Sequence, residues 1–134
     1  MRSKSLFCLL LTVLVLAAIG CGDKVAVRGK VTFSDDHSPL TVGQIRFQSG
    51  TVQARGTLKS DGTYVLGTVK EKDGVPKGTY NVTIVDAMEL VAKETKGGAP
   101  AIPVITPLID PFEKKDVVVD GKQKTFDFEV ERIK

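Results

Sequence analysis

The sequence predicts an all-β protein: an antiparallel β-sandwich of about seven short strands that follows an N-terminal signal helix. Three observations lead to this prediction. Apolar and polar residues alternate with a period of two in several segments, turn signals recur about every 8–12 residues, and no segment after residue 20 has apolar residues at helical spacing. The chain has 134 residues, which allows one ordinary domain and excludes a multidomain enzyme.

Residues 1–20 have the layout of a secretory signal. Arg2 and Lys4 supply a positive start, and Leu6–Leu16 is an apolar run without charge. The run is shorter than the roughly 20 apolar residues of a membrane span. The small residues that lead directly to Cys21 resemble the lipobox of bacterial lipoproteins, in which the peptide is cut before the cysteine and the thiol is acylated.

This resemblance implies a lipoprotein signal peptide at residues 1–20, cleavage between Gly20 and Cys21, and a lipidated tether at residues 21–24. The sequence departs from the usual lipobox at Ala18, where Leu is more common. A plain secretory signal with an unmodified cysteine and an uncleaved anchor are the alternatives. Acylated Cys21 would hold the protein stably on a membrane of the bacterial cell envelope, at the outer membrane or a periplasmic face rather than in the cytoplasm.

Loss of residues 1–20 would change the composition of the working protein. Arg2 and Lys4 leave with the signal, so the net charge falls from +3 to +1. This near-neutral chain is not expected to bind nucleic acid, which needs a clustered basic face. Cys8 also leaves and Cys21 carries lipid, so no cysteine remains for a disulfide or a thiol site. The domain must then be held together by its core.

The domain at residues 25–134 begins with a strand over Val25–Phe33. Its odd-numbered apolar residues face inward, and Gly29 among them indicates a bulge or close packing. Ile45 and Phe47 face inward on a second strand, and Phe126, Phe128 and Val130 on the last. The last strand is expected at Thr125–Glu131, and the other strands at Val52–Leu58, Tyr64–Val69, Thr79–Val85 and Asp116–Val119. On the fifth strand, Thr79–Val85, the inward residues are Tyr80, Val82 and Ile84.

Asp-Gly pairs mark several turns. In Asp61-Gly62 and Asp73-Gly74 the aspartate favours a turn and the glycine is free to adopt a positive φ. Tyr64 and Tyr80 each begin a strand after a turn. A tyrosine at this position can bury its ring while its hydroxyl finds a partner near the sandwich edge.

The order of these motifs resembles a known family. G-K-V-T-F begins at Gly29, G-Q-I-R-F at Gly43, G-T-L-K-S-D-G-T-Y-V-L at Gly56 and D-G-V-P-K-G-T-Y-N-V-T-I at Asp73. Together they are similar to the carboxypeptidase regulatory-like, transthyretin-like β-sandwich, a Greek-key fold, and to short bacterial lipoproteins made of this domain. The resemblance implies a non-catalytic domain. It also implies structural turn and strand roles for Asp61, Gly62, Tyr64, Asp73, Gly74, Gly78 and Tyr80.

The sequence has few side chains suited to catalysis or metal binding. His37 is the only histidine, and with Asp35 and Asp36 it forms either a divalent-metal site or, as we expect, a polar loop. Three adjacent side chains on an extended turn cannot all converge on one ion. A nucleophilic triad would also need His37, and the hydroxyisourate hydrolases of the resembled fold rely on several histidines. We therefore expect no enzyme activity, no metal and no cofactor.

Residues 87–111 interrupt the strand pattern with four prolines and Gly97-Gly98. Met88–Glu94 is consistent with one or two helical turns, and Ile102–Ile109 with an edge strand, where proline is tolerated. Two interpretations stay open for this segment. Unstructured loops of this length are uncommon in compact domains and are often functional. The apolar section of this loop, Ala101–Ile109, either contacts a partner protein or covers the sandwich as an edge strand.

The sequence thus favours a membrane-anchored envelope lipoprotein whose β-sandwich acts as a protein-binding or structural module. The alternative is a calcium- or glycan-binding accessory domain of an envelope transport or hydrolytic system. Calcium would need the separate turns at Asp61, Asp73 and Asp120 to act together. Glycan binding is disfavoured by the absence of Trp, and no small-molecule ligand is expected.

Overall fold

The computed structural model describes residues 23–94 and 96–134, so the predicted signal peptide, the Gly20–Cys21 cleavage site and the lipidation site lie outside it. The described residues form eleven β-strands and no helix, and so none of them belongs to a helix able to cross a bilayer. The strands are β1 (Lys24–Val25), β2 (Arg28–Phe33), β3 (Gln44–Ser49), β4 (Val52–Thr57), β5 (Thr63–Val65), β6 (Val75–Pro76), β7 (Gly78–Val85), β8 (Met88–Lys93), β9 (Ile102–Pro107), β10 (Phe112–Val119) and β11 (Phe128–Val130). The all-β prediction is confirmed, but the count of seven strands is wrong.

Two sheets form a sandwich-like body. One has the strand order β10-β7-β3-β4, and the other has the order β11-β2-β5. Their inner faces meet at aromatic rings: Phe47 of the first sheet lies 6.1 Å from Phe128 of the second, in an edge-to-face arrangement. Two smaller pairs, β1-β6 and β8-β9, complete the described strands.

The expected first strand is divided in two, which is one source of the higher count. Val25 pairs with Val75 of β6, whereas β2 pairs with β5 and β11. Gly29 lies within β2 and marks close packing rather than a bulge, since a Cβ there would lie 1.8 Å from the carbonyl oxygen of Phe126. The three-stranded sheet is also not purely antiparallel, because β11 runs parallel to β2. The chain passes from the four-stranded sheet to the three-stranded sheet between β10 and β11.

The period-two pattern identifies the core correctly. Every residue expected to face inward on the first, second, fifth and last predicted strands is buried: Val25, Val27, Val31, Phe33, Ile45, Phe47, Tyr80, Val82, Ile84, Phe126, Phe128 and Val130. No polar or charged residue is buried within the described part of the chain. Hydrophobic burial is thus the main contribution to stability.

Different strands lie at the two ends of the sandwich, β1 at one end and the β8-β9 hairpin at the other. Lys24 pairs with Pro76, just before β7 begins at Gly78, and β8 begins three residues after β7 ends at Val85. At about 3.4 Å per residue, the eight residues of β7 span roughly 24 Å. β1 and the β8-β9 hairpin therefore lie toward opposite ends of β7.

Candidate functional site

The β8-β9 hairpin projects from the sandwich without packing against it. Its strands pair with each other from Met88↔Pro107 to Lys93↔Ile102, and every residue of both strands is exposed. The helical turns expected at Met88–Glu94 are wrong, because this segment is a strand. The edge-strand interpretation is also wrong in its main point: Ile102–Pro107 is a strand but does not cover the sandwich.

One face of the hairpin is wholly apolar. Residues directly opposite each other in an antiparallel pair lie on the same face, and the faces alternate along the strand. Met88, Leu90 and Ala92 therefore share a face with the residues opposite them in β9. We call this the apolar face, and its six residues are Met88, Leu90, Ala92, Pro103, Ile105 and Pro107.

The apolar face is open to solvent at its centre. Leu90 and Ile105 are opposite each other and are 70% and 63% exposed. The other face is mixed, with Glu89, Lys93 and the pair Val91↔Val104. Contiguous exposed apolar surface on a small domain is typical of an interaction site.

The backbone of the hairpin leaves one strand edge more open than the other. Leu108 N donates to Ala87 O at 2.9 Å, which makes the pair just before Met88↔Pro107 a hydrogen-bonded one. Along an antiparallel pair of strands, hydrogen-bonded pairs alternate with non-hydrogen-bonded pairs, whose amide groups point away from the partner strand. Pro107 and Pro103 both lie in non-hydrogen-bonded pairs. Since proline has no N–H, the outer edge of β9 lacks donors at both positions. The outer edge of β8 presents the amides of Leu90 and Ala92.

The base of the hairpin is held firmly to the sandwich. Ala87 and Ile109, at its two roots, are buried in the core. Ile133 N donates to Leu108 O at 3.1 Å, and Met88 N donates to Asp86 O at 3.0 Å, Asp86 itself having a φ of 57°. A hairpin with fixed roots and an uncovered face is positioned to meet another molecule.

The predicted structural residues occupy turns and strands away from the hairpin. The Asp61 carboxylate accepts hydrogen bonds from Thr63, from Oγ1 at 2.6 Å and from N at 3.0 Å, and these bonds lower the pKa of Asp61. Gly62 has a φ of 78° and stands so close to β2 that a Cβ would lie 2.7 Å from Val31 O. This turn needs its glycine for both reasons.

Asp73 organises the loop between β5 and β6. Its carboxylate accepts from Lys24 Nζ at 2.8 Å and from Thr68 N at 2.6 Å, and the two contacts hold its pKa well below the usual range. Gly74 follows with a φ of 93°. The Asp73-Gly74 motif therefore joins the loop to β1, a longer-range role than the tight turn that the sequence suggests.

Both tyrosines are buried and have partners for their hydroxyls. Tyr64 Oη donates to Phe126 O at 2.5 Å, and Tyr80 Oη donates to Pro76 O at 2.7 Å. Burial raises the pKa of both phenols. Tyr80 lies in β7 two residues after Gly78, and a Cβ added at Gly78 would lie 3.6 Å from the Tyr80 ring.

The turn around His37 forms ion pairs with the C-terminal strand region. Arg132 contacts Asp35 at 3.3 Å and Asp36 at 3.2 Å, and His37 Nδ1 lies 3.3 Å from Glu129. Hydrogen bonds from Ser38, with Arg132 nearby, lower the pKa of Asp36 to about 2. No three His, Cys, Asp or Glu side chains in residues 23–94 and 96–134 form a group able to hold a metal, and Asp61, Asp73 and Asp120 are not brought together.

The sequence hypothesis for Ala101–Ile109 includes the β9 half of the apolar face and misses the β8 half, although a signal for the whole face exists. Met88, Leu90 and Ala92 alternate with Glu89 and Lys93, and Pro103, Ile105 and Pro107 also lie at every second position. Read as two strands of one hairpin, this period-two spacing places all six on one face.

Comparison with known proteins yields little. No family model matches the chain, and no curated protein matches it. Among solved structures, the crystal structure of a 9R-lipoxygenase from Cyanothece PCC8801 is similar over 79% of this chain, with 18% identity and a TM-score of 0.37. The chain spans 16% of that protein.

Proposed function

We propose that this protein is an envelope lipoprotein, anchored through acylated Cys21, whose non-catalytic β-sandwich binds a partner protein through the β8-β9 hairpin. The observation that carries the partner-binding part is the exposed apolar face, with Leu90 and Ile105 at its centre. The anchor is supported by the lipobox-like residues before Cys21.

The geometry of the two ends supports a protein rather than a lipid partner for the hairpin. Lys24 is held by Asp73, and three residues from Cys21 to Lys24 reach at most about 11 Å. The sandwich would therefore stand close to the membrane by this end. The hairpin leaves from the other end, roughly 24 Å away along β7, and would face away from the bilayer.

The partner that fits the hairpin is an envelope protein with an extended apolar segment. Such a segment can add to the open edge of β8 by main-chain hydrogen bonds while its side chains cover the apolar face. The prolines of β9 disfavour addition on the other side. Asp86 and Asp110 at the base of the hairpin would favour basic residues at the ends of that segment.

The fold proposed with this function is the Greek-key, transthyretin-like sandwich of the carboxypeptidase regulatory-like family over residues 25–134. Its support is the order of the glycine, Asp-Gly and tyrosine motifs, together with two sheets that pack through Phe47 and Phe128.

Crosslinking in intact cells tests the partner. A photoreactive residue replaces Leu90 or Ile105 in the full chain, and captured proteins are identified by mass spectrometry. We expect one protein to be captured repeatedly from these positions and much less from Thr106, on the mixed face. Equal capture from both faces would contradict the proposal, and a product of twice the chain mass would identify a second copy instead.

A matched pair of variants tests which face binds. Leu90→Thr with Ile105→Thr changes a cross-strand pair on the apolar face, and Val91→Thr with Val104→Thr changes the neighbouring pair on the mixed face. Capture should fall at least tenfold in the first variant and less than twofold in the second. The mass of the purified native chain tests the anchor: an unmodified N-terminus with Met1 retained would contradict it.

A further inference from the structure

Four cations line a cleft on the flank of the sandwich. Arg55 comes from β4, Lys59 from the turn that follows it, and Lys70 and Lys72 from the loop after β5. The cleft has a volume of about 490 Å³, and Glu71 is the one carboxylate among its lining residues. The cations are up to 17 positions apart in the sequence, so their proximity arises from the fold.

Two glycines allow the backbone to build the cleft. Arg55 N donates to Gly67 O at 2.9 Å and Gly67 N donates to Arg55 O at 3.0 Å, which joins the edges of the two sheets. A Cβ on Gly56 would lie 2.7 Å from Val65 O, and a Cβ on Gly67 would lie 2.1 Å from Lys70 O. No side chain therefore fills the cleft at Gly56 and Gly67, and the four cations lie around this space.

The loop that carries Lys70 and Lys72 is held in place by another residue. The Asp73 carboxylate accepts from the backbone amides of Val69 at 3.2 Å and Lys70 at 3.3 Å, besides its contact with Lys24. None of the four cations of the cleft forms an ion pair with any residue that the structure describes. Their charge is thus available to a ligand.

The cleft concentrates the positive charge of the domain. Its four cations and Glu71 give it a net charge of +3, while residues 23–134 as a whole carry +1, so the rest of the described chain carries −2. Like charges gathered in a concave site strengthen the local potential and attract ligands of opposite sign.

We propose that this cleft binds a small, soluble, multivalent oxyanion that carries phosphate groups. Guanidinium and ammonium donors suit phosphate oxygens, arginine through two parallel hydrogen bonds and lysine as a point charge. A charge of +3 matches a multivalent anion better than a single carboxylate. The cleft is concave, and its volume of about 490 Å³ suits a small dissolved anion that enters it. It extends to the end that holds Lys24, because its lining residue Thr68 accepts a hydrogen bond from Lys24 Nζ at 3.0 Å.

Calorimetric titration of the full chain with sodium pyrophosphate, in an uncharged detergent, tests the site. We expect saturable binding at one site that weakens as salt is added, since exposed charges are screened. Arg55→Gln combined with Lys59→Gln should weaken binding at least tenfold. Lys122→Gln combined with Lys124→Gln makes the same change in net charge in a turn that does not line the cleft, and it should weaken binding less than twofold.

Each other outcome overturns the proposal. The absence of binding heat excludes the site, and an equal loss in both double variants shows attraction to net charge alone. The melting temperatures of the two double variants are the control: if they are equal, misfolding is excluded as the cause of weaker pyrophosphate binding. Vesicles of mixed zwitterionic and anionic phospholipid form the second arm: binding through Arg55 and Lys59 to these vesicles, but not to pyrophosphate, would contradict a soluble ligand.

Discussion

Tyr64 Oη donates a hydrogen bond of 2.5 Å to the carbonyl oxygen of Phe126, which lies 62 residues later in the chain. Tyr64 belongs to β5 and Phe126 lies just before β11, so the bond joins the two outer strands of the three-stranded sheet across β2. Gly29 of β2 makes this approach feasible, because a Cβ there would lie 2.8 Å from Tyr64 Oη. The Tyr64 hydroxyl thus reaches the Phe126 carbonyl of a distant segment because Gly29 has no side chain between them.

Removal of this hydroxyl should be costly. Tyr64→Phe leaves the Phe126 carbonyl without its donor in a buried place, and we expect a loss of about 1–3 kcal/mol in the free energy of unfolding. Tyr80→Phe is the matched control. The Tyr80 hydroxyl donates to Pro76 O in a place that is less deeply buried than that of the Tyr64 hydroxyl, so that water can replace it, and the loss should be smaller. Urea unfolding of both variants measures the difference, and an equal loss would contradict the argument.

The space above Gly29 should not accept a methyl group. Gly29→Ala would bring a Cβ against the Phe126 carbonyl, and we expect overpacking to cost about 1–3 kcal/mol or more. Gly78→Ala is the control, since a Cβ at Gly78 has no atom nearer than 3.6 Å. Thermal unfolding followed by circular dichroism distinguishes them, and similar melting temperatures for both variants would show that β2 can shift to make room.

The Asp73 carboxylate should make stability depend on pH in the acid range. Its pKa is lowered in the folded state, first by the hydrogen bond from Lys24. A lowered pKa means that the ionised group stabilises the fold above its ordinary value of 3.8 and that this contribution is lost as pH falls through the lowered pKa.

Asp73→Asn should therefore have a lower melting temperature than the parent protein at neutral pH, and the difference should shrink as the pH falls below about 4. Glu71→Gln serves as the control, because Glu71 lies in the same loop without accepting a hydrogen bond from the described residues. A difference between Asp73→Asn and the parent that stays constant down to pH 2 would rule out the carboxylate as its source.

Arg132 should not be replaceable by lysine. Its guanidinium lies 3.9 Å from the centre of the Phe33 ring and also contacts Asp36 at 3.2 Å. A planar group can stack on the ring and bind the carboxylate together, whereas an ammonium cannot. We expect Arg132→Lys to lose most of the stability lost in Arg132→Gln, about 0.5–1 kcal/mol for the exposed ring contact. Full retention of stability in Arg132→Lys would show that charge alone suffices.

What the sequence alone determined is the local part of the structure. The period-two pattern identified the inward residues of β2, β3, β7 and β11, because a buried strand face must be apolar wherever its partner lies. Asp-Gly pairs identified turns for the same local reason, since glycine is needed where φ is positive.

Only the tertiary structure decided which strands pair and which faces are left uncovered. The apolar residues of β8 and β9 have the pattern of a buried strand, yet none of the described strands covers the hairpin. The parallel pairing of β11 with β2 and the gathering of Arg55, Lys59, Lys70 and Lys72 also depend on contacts between distant segments. Alternation fixes a side chain's face within a strand, but the surface that meets this face is set by the path of the whole chain.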